Sequence, residues 1–253
     1  MRPARRFVAL DLGTARTRSL VLGGHAIVDR PSAILRRSSA SGEPDVVRPV
    51  RHGMVADPGA CLRLVRLVVR DTRLYDSRPL ERVLAGVPVA ASPSDRKAVR
   101  AAVAEIAGCE VALVEEPLAA AVGVGLDILG GRPRLLLDVG AGIVEAVVLD
   151  RGVVTDAVAL QLSTTTDAGL TSYALENVVD MTAGLLRRLP GARERGLVVT
   201  GGGAQQEQLL RRLHAALRMP VTAAPQPQHA TIRGLMRLCL QPALAGGPAL
   251  SDR

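Results

Sequence analysis

At 253 residues and 48% hydrophobic content, the chain can bury one large core or build two lobes, and no apolar run reaches the roughly 18 residues of a membrane-spanning helix. A formal net charge of +8 would suit nucleic acid, anionic lipid or an acidic partner. With Phe7, Tyr75 and Tyr173 as the only aromatics there is no stacking platform for single strands, so the charge reads as a solvated, Arg-rich surface. Cys61, Cys109 and Cys239 lie far apart without a CxxC, and His25, His52, His214 and His229 lack ligand spacing. That excludes a nitrogen–sulfur metal site and suits reduced thiols in a cytoplasm.

The basic start, MRPARRFVALDLG, enters a turn too early for a signal peptide. Phe7 to Leu22, FVALDLGTARTRSLVL, reads as strand, tight turn, strand. An acid at a strand tip followed by Gly and hydroxyl residues suits a phosphate-and-metal loop, because Gly admits close backbone approach and the carboxylate can hold Mg²⁺ through its waters. Alone, DxGT is also an ordinary turn. A third strand is expected over His25–Val28, continued by 31–35, and a polar loop over 38–45.

Asp57 as N-cap and Pro58 as first residue start a helix running to about Thr72. Its Arg63, Arg66, Arg70 and Arg73 share a face, which is a solvated face or a stripe for lipid or a partner. A buried strand over 83–89 leads to a helix marked by Ser92, Pro93, Asp95 and a terminal Gly108. The strand 111–114 delivers Glu115-Glu116-Pro117 to its end, and an Ala-rich helix with spaced glycines follows over 118–124, suited to close packing between lobes. Glu116 either orients a water on a phosphate or caps that helix.

The linker 127–134 marks a lobe boundary. Beyond it LLLDVGAGIVEAVVL repeats the first hairpin without a gap, at an offset of 138 − 11 = 127, placing Asp138 on Asp11 and Gly140 on Gly13. That period is too long for a solenoid. It implies two similar lobes, each offering a DxG turn to one shared cleft able to clamp a polyphosphate. A strand over 153–160, a short polar loop over 163–172, a helix over 173–189 and a strand over 196–200 come next. Gly201-Gly202-Gly203 would let backbone lie against a base or ribose, with a helix N-terminus behind it for phosphate. A helix over 205–217, a loop at 225–228 and a last helix over 230–240, packed back on the first lobe, complete the chain. Residues 243–253 read as a frayed end.

Four segments in this order, ALDLGTART, LVEEPLAAAVGVGL, LLLDVGAGIVEAVVL and LVVTGGGA, resemble the first phosphate loop, connecting segment, second phosphate loop and adenosine-side loop of the actin-like ATPases. Within them the resemblance is to the bacterial rod-shape proteins of the MreB/Mbl type. It implies an α/β actin-like ATPase fold: duplicated ribonuclease H-like lobes with mixed sheets flanked by helices, in reduced form. The first lobe would be 1–132, with 228–253 packing back on it, and the second 133–227.

The resemblance further implies ATP and Mg²⁺ in the interlobe cleft. Asp11, Gly13, Thr14, Ala15, Arg16 and Thr17 would contact the nucleotide from the first loop, Gly140, Ala141 and Gly142 from the second, and Gly201, Gly202 and Gly203 from the adenosine side. Asp11 and Asp138 would hold Mg²⁺ through water, and Glu116 and Asp138 would be catalytic. The chain also departs from the pattern. Ala141 and Ile143 stand where a Gly and a Thr are expected. The small subdomain near 38–45 shrinks to a loop, and the insertion near Leu162 that builds the fourth, IIB-type subdomain with its adenosine-holding Glu and Lys is missing. Hydrolysis should therefore be weak or lost.

By the same resemblance the function is cytoskeletal, in cell-shape or cell-wall morphogenesis. The chain would form filaments with itself or co-polymerise with a full-length homologue, and work with the cell-wall synthesis machinery. It would lie in the cytoplasm or at the inner face of the plasma membrane with peripheral contact there, and nucleic acid is not an expected partner. A small-molecule kinase or other enzyme of the superfamily would need an enlarged lobe, whereas this chain is reduced. A basic membrane or nucleic-acid adaptor without nucleotide explains the charge but not the repeated DxG turns.

Overall fold

Each DxG hairpin is the central pair of its own five-stranded sheet in the computed structural model, which describes residues 6–24, 26–37, 44–72, 79–163, 170–188 and 194–245. In the first lobe β1 (Phe7–Leu12) pairs antiparallel with β2 (Arg16–Val21), and β2 with β3 (Val28–Pro31). A ribbon of β4 (Ile34–Arg37) and β5 (Pro44–Val47) and a tight hairpin of β6 (Val50–Arg51) and β7 (Met54–Val55) follow. Then come α1 (Pro58–Thr72), β8 (Arg82–Val87), α2 (Pro93–Ala107), β9 (Glu110–Glu115) and α3 (Glu116–Gly123). The sheet order is β3-β2-β1-β8-β9, with β8 and β9 parallel to β1.

The second lobe repeats this plan. Its strands β10 (Arg134–Val139), β11 (Ile143–Asp150) and β12 (Val153–Gln161) form the antiparallel part, followed by α4 (Ser172–Arg188), β13 (Leu197–Thr200), α5 (Glu207–Leu217) and β14 (Val221–Ala223), after which the chain returns to the first sheet as α6 (Ala230–Leu240). The order β12-β11-β10-β13-β14 matches the first sheet position for position.

Both central strands are buried on both faces, and their period of two sorts the side chains. Val8, Leu10 and Leu12 enter a core with α1 and α2, while Leu135, Leu137 and Val139 enter one with α4 and α5. The opposite faces, represented by Ala9 and Leu136, join a third core made with α3 and α6. The two sheets thus share one helical layer between them. Asp11 lies on the same strand face as Ala9, and Asp138 on the same face as Leu136, so both acids continue the inner faces that this layer separates. Each fully buried Leu contributes about 1.5–3 kcal/mol, which fixes the register and, with it, the direction of the acids.

Close backbone approach makes that layer thin. A Cβ on Gly234 would overlap the carbonyl of Ala119, and one on Gly123 the carbonyl of Ala230. Besides α3, α6 packs on β1, β2 and β8. Local signals account for the flanking helices. Asp57 Oδ1 accepts the Ala60 N–H at 2.9 Å to start α1, and Ser92 and Asp95 form a reciprocal capping box at α2, closed by Gly108 at φ 64°.

Several expectations change. The third strand starts at Val28 rather than His25, a residue outside those described. Pro44 and Asp45 belong to β5, so the reduced small subdomain keeps a two-stranded ribbon instead of a loop. Pro88 has no N–H to continue the ladder, and β8 stops at Val87. The Gly triplet leads into a 3₁₀ turn, Gly202–Gln205, before α5 begins. The expected polar loop at 225–228 contains a second 3₁₀ turn, Pro227–His229. Arg73, most of the 163–172 connection and the 246–253 tail lie outside the described residues. No helix among those described is long and apolar enough to cross a membrane.

Candidate functional site

A cavity of about 120 Å³ lies where the two hairpin turns meet. Asp11, Gly13, Thr14, Ala15 and Arg16 line it from the first hairpin, and Asp138, Gly140, Ala141 and Gly142 from the second. Glu116, the first residue of α3, and Gly201 and Gly202 are the other expected residues on its wall. A larger groove of about 360 Å³ beside Leu129 and Leu240 has no comparable convergence of acids.

Two expected ligands are not on the wall. Thr17 is fully buried on the other face of β2 from Arg16, because β2 begins at Arg16 and its side chains alternate. Its hydroxyl bonds Ser32 Oγ at 2.8 Å, and Ser32 donates to the Gly13 carbonyl at 2.6 Å. Thr17 therefore buttresses the turn. Gly203 packs against Val139, whose side chain a Cβ there would overlap. Ala141 is not among the residues with positive φ, so its methyl carries no left-handed strain.

The electrostatics are dominated by buried acids. Burial raises Asp11 to about 6; the Arg18 guanidinium, 3.7 Å from its Oδ2, pulls the other way, and Asp138 adds to the rise. Burial also raises Asp138, against a 2.7 Å bond donated by Thr200 Oγ1. Glu116 is raised well above the usual range, first by burial and then by Asp11, Glu145 and Asp138. Glu145 is raised to about 7 by burial, which outweighs the N–H donated by Ala90 at 3.1 Å. Glu116 Oε1 and Glu145 Oε2 are buried with no hydrogen-bond partner among the described residues. Such carboxylates attract a cation.

Hard oxygen donors with an unpartnered carboxylate oxygen fit Mg²⁺ that keeps its waters. A direct protein cage does not fit, since no group of three metal-ligating side chains occurs among the described residues.

Among the described residues, three contacts join the lobes at or beside the cavity. Thr14 Oγ1 accepts the Gly53 N–H at 3.0 Å, and a Cβ on Gly142 would overlap that same Thr14 side chain. His52 Nδ1 donates to the Gly142 carbonyl at 2.7 Å, with His52 itself at φ 52°. Ala90, after β8, donates to Glu145 on β11.

Sequence reasoning missed Arg18, Gly53, Gln228 and Thr231 on the cavity wall, and His52 and Thr200 beside it. Arg18 and Arg16, two apart on a strand, gave a readable signal. The repeat gave another: Arg18 opposes Asp11 in the β1–β2 register, Glu145 opposes Asp138 in β10–β11, and 145 − 18 = 127.

Two sheets of identical strand order, joined by a shared helical layer and each giving an acidic hairpin tip to one cleft, define an actin-like fold. The structure is similar to MreB5 of Spiroplasma citri bound to ADP, with a TM-score of 0.82 at 17% identity over 96% of this chain and 99% of that one. It is also similar to the subunit of the MamK double helical filament, with a TM-score of 0.79 at 17% identity over 94% and 99%. The family model described as MreB/Mbl protein matches residues 5–177, and the chain belongs to that family. It is 29% identical over 164 residues to the cell shape-determining protein MreB of Escherichia coli K12, covering 56% of this chain and 47% of that protein. Against the cell shape-determining protein Mbl of Bacillus cereus it is 26% identical over 177 residues, covering 62% and 53%. The chain spans about half the length of the curated relatives it matches.

Proposed function

We propose that this chain is an actin-like cytoskeletal protein of bacterial cell shape that takes a nucleoside triphosphate with Mg²⁺ between its lobes and turns it over weakly. The observation that carries the reading is the convergence of Asp11 and Asp138, from equivalent hairpins, on one cavity. In this reading residues 1–132 with 228–253 form one lobe and 133–227 the other. Gly13, Thr14, Ala15 and Arg16 face Gly140, Ala141 and Gly142 across the phosphates, and Gly201 and Gly202 lie toward the base. Asp11 and Asp138 hold the hydrated metal. Bound Mg²⁺ would supply positive charge to offset that of the phosphates.

The cavity is smaller than the ~300–1,000 Å³ usual for small-molecule sites. Nucleotide entry therefore requires the His52–Gly142 and Ala90–Glu145 contacts to open. Weak turnover is supported by Glu116: its burial, with Asp11, Glu145 and Asp138 nearby, disfavours the charged carboxylate that a base for water needs. Ile143, buried on the wall, adds no hydroxyl.

Filaments would form by a repeated heterologous contact with copies of the chain or with a full-length homologue, alongside the cell-wall synthesis machinery in the cytoplasm. Peripheral contact with the inner membrane face is supported by exposed Leu35 and Val46, cross-strand partners on the β4–β5 ribbon. Arg63 and Arg66 of α1 stand beside Leu35.

Sedimentation and electron microscopy with ATP–Mg²⁺ test the reading. Filaments of the chain, alone or mixed with a full-length homologue, are expected; a monomer in both settings would overturn it.

A further inference from the structure

We infer that Arg18 is the cleft's built-in counter-cation, contacting phosphate directly, so that a nucleoside polyphosphate binds here with little dependence on divalent metal. The inference rests on the nucleotide reading above.

Arg18 and Arg16 stand two apart on β2 and both line the cavity. One carboxylate holds both: Asp29 Oδ2 accepts from Arg18 Nε at 3.1 Å, and Asp29 Oδ1 accepts from Arg16 Nε at 2.7 Å. Anchoring through Nε fixes each guanidinium and leaves the terminal nitrogens of Arg18 for another anion. Arg18 Nη1 is 3.7 Å from Asp11 Oδ2, an ion pair beyond hydrogen-bond length, and the Arg18 side chain is only 14% exposed. A largely buried guanidinium on a cavity wall, anchored through Nε and with its terminal nitrogens near only the more distant Asp11 among the described carboxylates, has the chemistry of a phosphate ligand.

The internal repeat shows what this does to the cleft. Opposite Asp11 stands a cation, whereas the equivalent place opposite Asp138 holds Glu145. The cleft is therefore polarised, with Arg16 and Arg18 beside Asp11 on the first hairpin and the carboxylates Asp138 and Glu145 on the second. Arg18 offsets the charge of Asp11, which leaves Asp11 less to offer a metal, and supplies part of the positive charge that a metal would bring to the phosphates.

The test is a titration of fluorescently labelled ATP with Mg²⁺ or with EDTA, using the whole chain, Arg18→Gln and Asp29→Asn, each checked for folding by thermal unfolding. For the unmodified chain the two dissociation constants should agree within about threefold. A charge-assisted hydrogen bond is worth about 1.5–3 kcal/mol, or ~10- to 150-fold. Arg18→Gln should therefore lose at least ~10-fold in EDTA and recover part of it with Mg²⁺. Asp29→Asn keeps the guanidinium but frees it, and should lose less. Unlabelled tripolyphosphate should compete in EDTA against the unmodified chain and fail against Arg18→Gln. If EDTA abolishes binding by the unmodified chain while Arg18→Gln binds ATP–Mg²⁺ unchanged, Arg18 is only the structural partner of Asp11 and the inference falls. Absence of binding in both buffers would instead overturn the nucleotide reading itself.

Discussion

Thr14 of the first hairpin and Gly142 of the second touch at the mouth of the cleft, so that the space a Cβ on Gly142 would need is already filled by the Thr14 side chain. Thr14 cannot move aside freely, because its hydroxyl is held by the Gly53 N–H at 3.0 Å. Gly142→Ala should cost about 1–3 kcal/mol of unfolding free energy as overpacking. Adding Thr14→Ala should return part of it, giving a coupling energy in a urea-unfolding double-mutant cycle. Strict additivity of the two would show that the hairpin tips do not meet.

The shared layer of α3 and α6 should be less tolerant still. Any Cβ at Gly234 or Gly123 meets backbone of the facing helix, and backbone cannot rotate away. We expect Gly234→Ala to destabilise by ~3 kcal/mol or more, whereas Gly131→Ala, with open space around it, should stay within ~0.5 kcal/mol. Thermal melting of both variants checks this, and equal melting points would refute the close crossing.

Stability should fall as pH rises from 5 to 8. Glu145 and Asp11 have folded pKa values of about 7 and about 6, above their ordinary values of 4.5 and 3.8. Between those limits the native state binds more protons than the unfolded one, so its advantage is complete below the unfolded pKa and is lost as pH climbs through the folded one. For Glu145 the swing is on the order of 3 kcal/mol. Glu145→Gln keeps an acceptor for the Ala90 N–H without the charge and should flatten the profile of the urea midpoint. A profile that rises over this range would contradict the buried acid cluster.

Leu35→Ser combined with Val46→Ser should reduce co-sedimentation with anionic vesicles while leaving the melting temperature unchanged, since both side chains are already exposed. Unaltered retention on vesicles would remove the ribbon from any membrane contact.

Much of the duplication was legible because it is local: two hairpins with the same apolar flanks and the same DxG tip, and a helix announced by Ser92, Pro93, Asp95 and Gly108. The β4–β5 ribbon was not, because the polar stretch 38–45 reads as loop throughout and the pairing of Leu35 with Val46 depends on a register that no local signal sets. Thr17 was misplaced by one step of alternation: a motif read as a string ignores that β2 starts at Arg16 and turns its next residue away. Arg18 was passed over although its spacing from Arg16 and its place in the repeat were readable, because a charged residue on a strand reads as solvent-facing until the fold shows that its face is the cleft. His52 and Thr200 act through tertiary contacts to Gly142 and Asp138, which no spacing encodes.

The central claim is a single cleft made by both lobes, and calorimetric titration with ATP–Mg²⁺ tests it most directly. The account predicts one nucleotide per chain, with affinity reduced ~10-fold or more both by Thr14→Val in the first lobe and by Gly202→Val in the second, where a side chain would enter the cavity. Two independent sites, no binding, or one of those substitutions leaving the affinity untouched would contradict it.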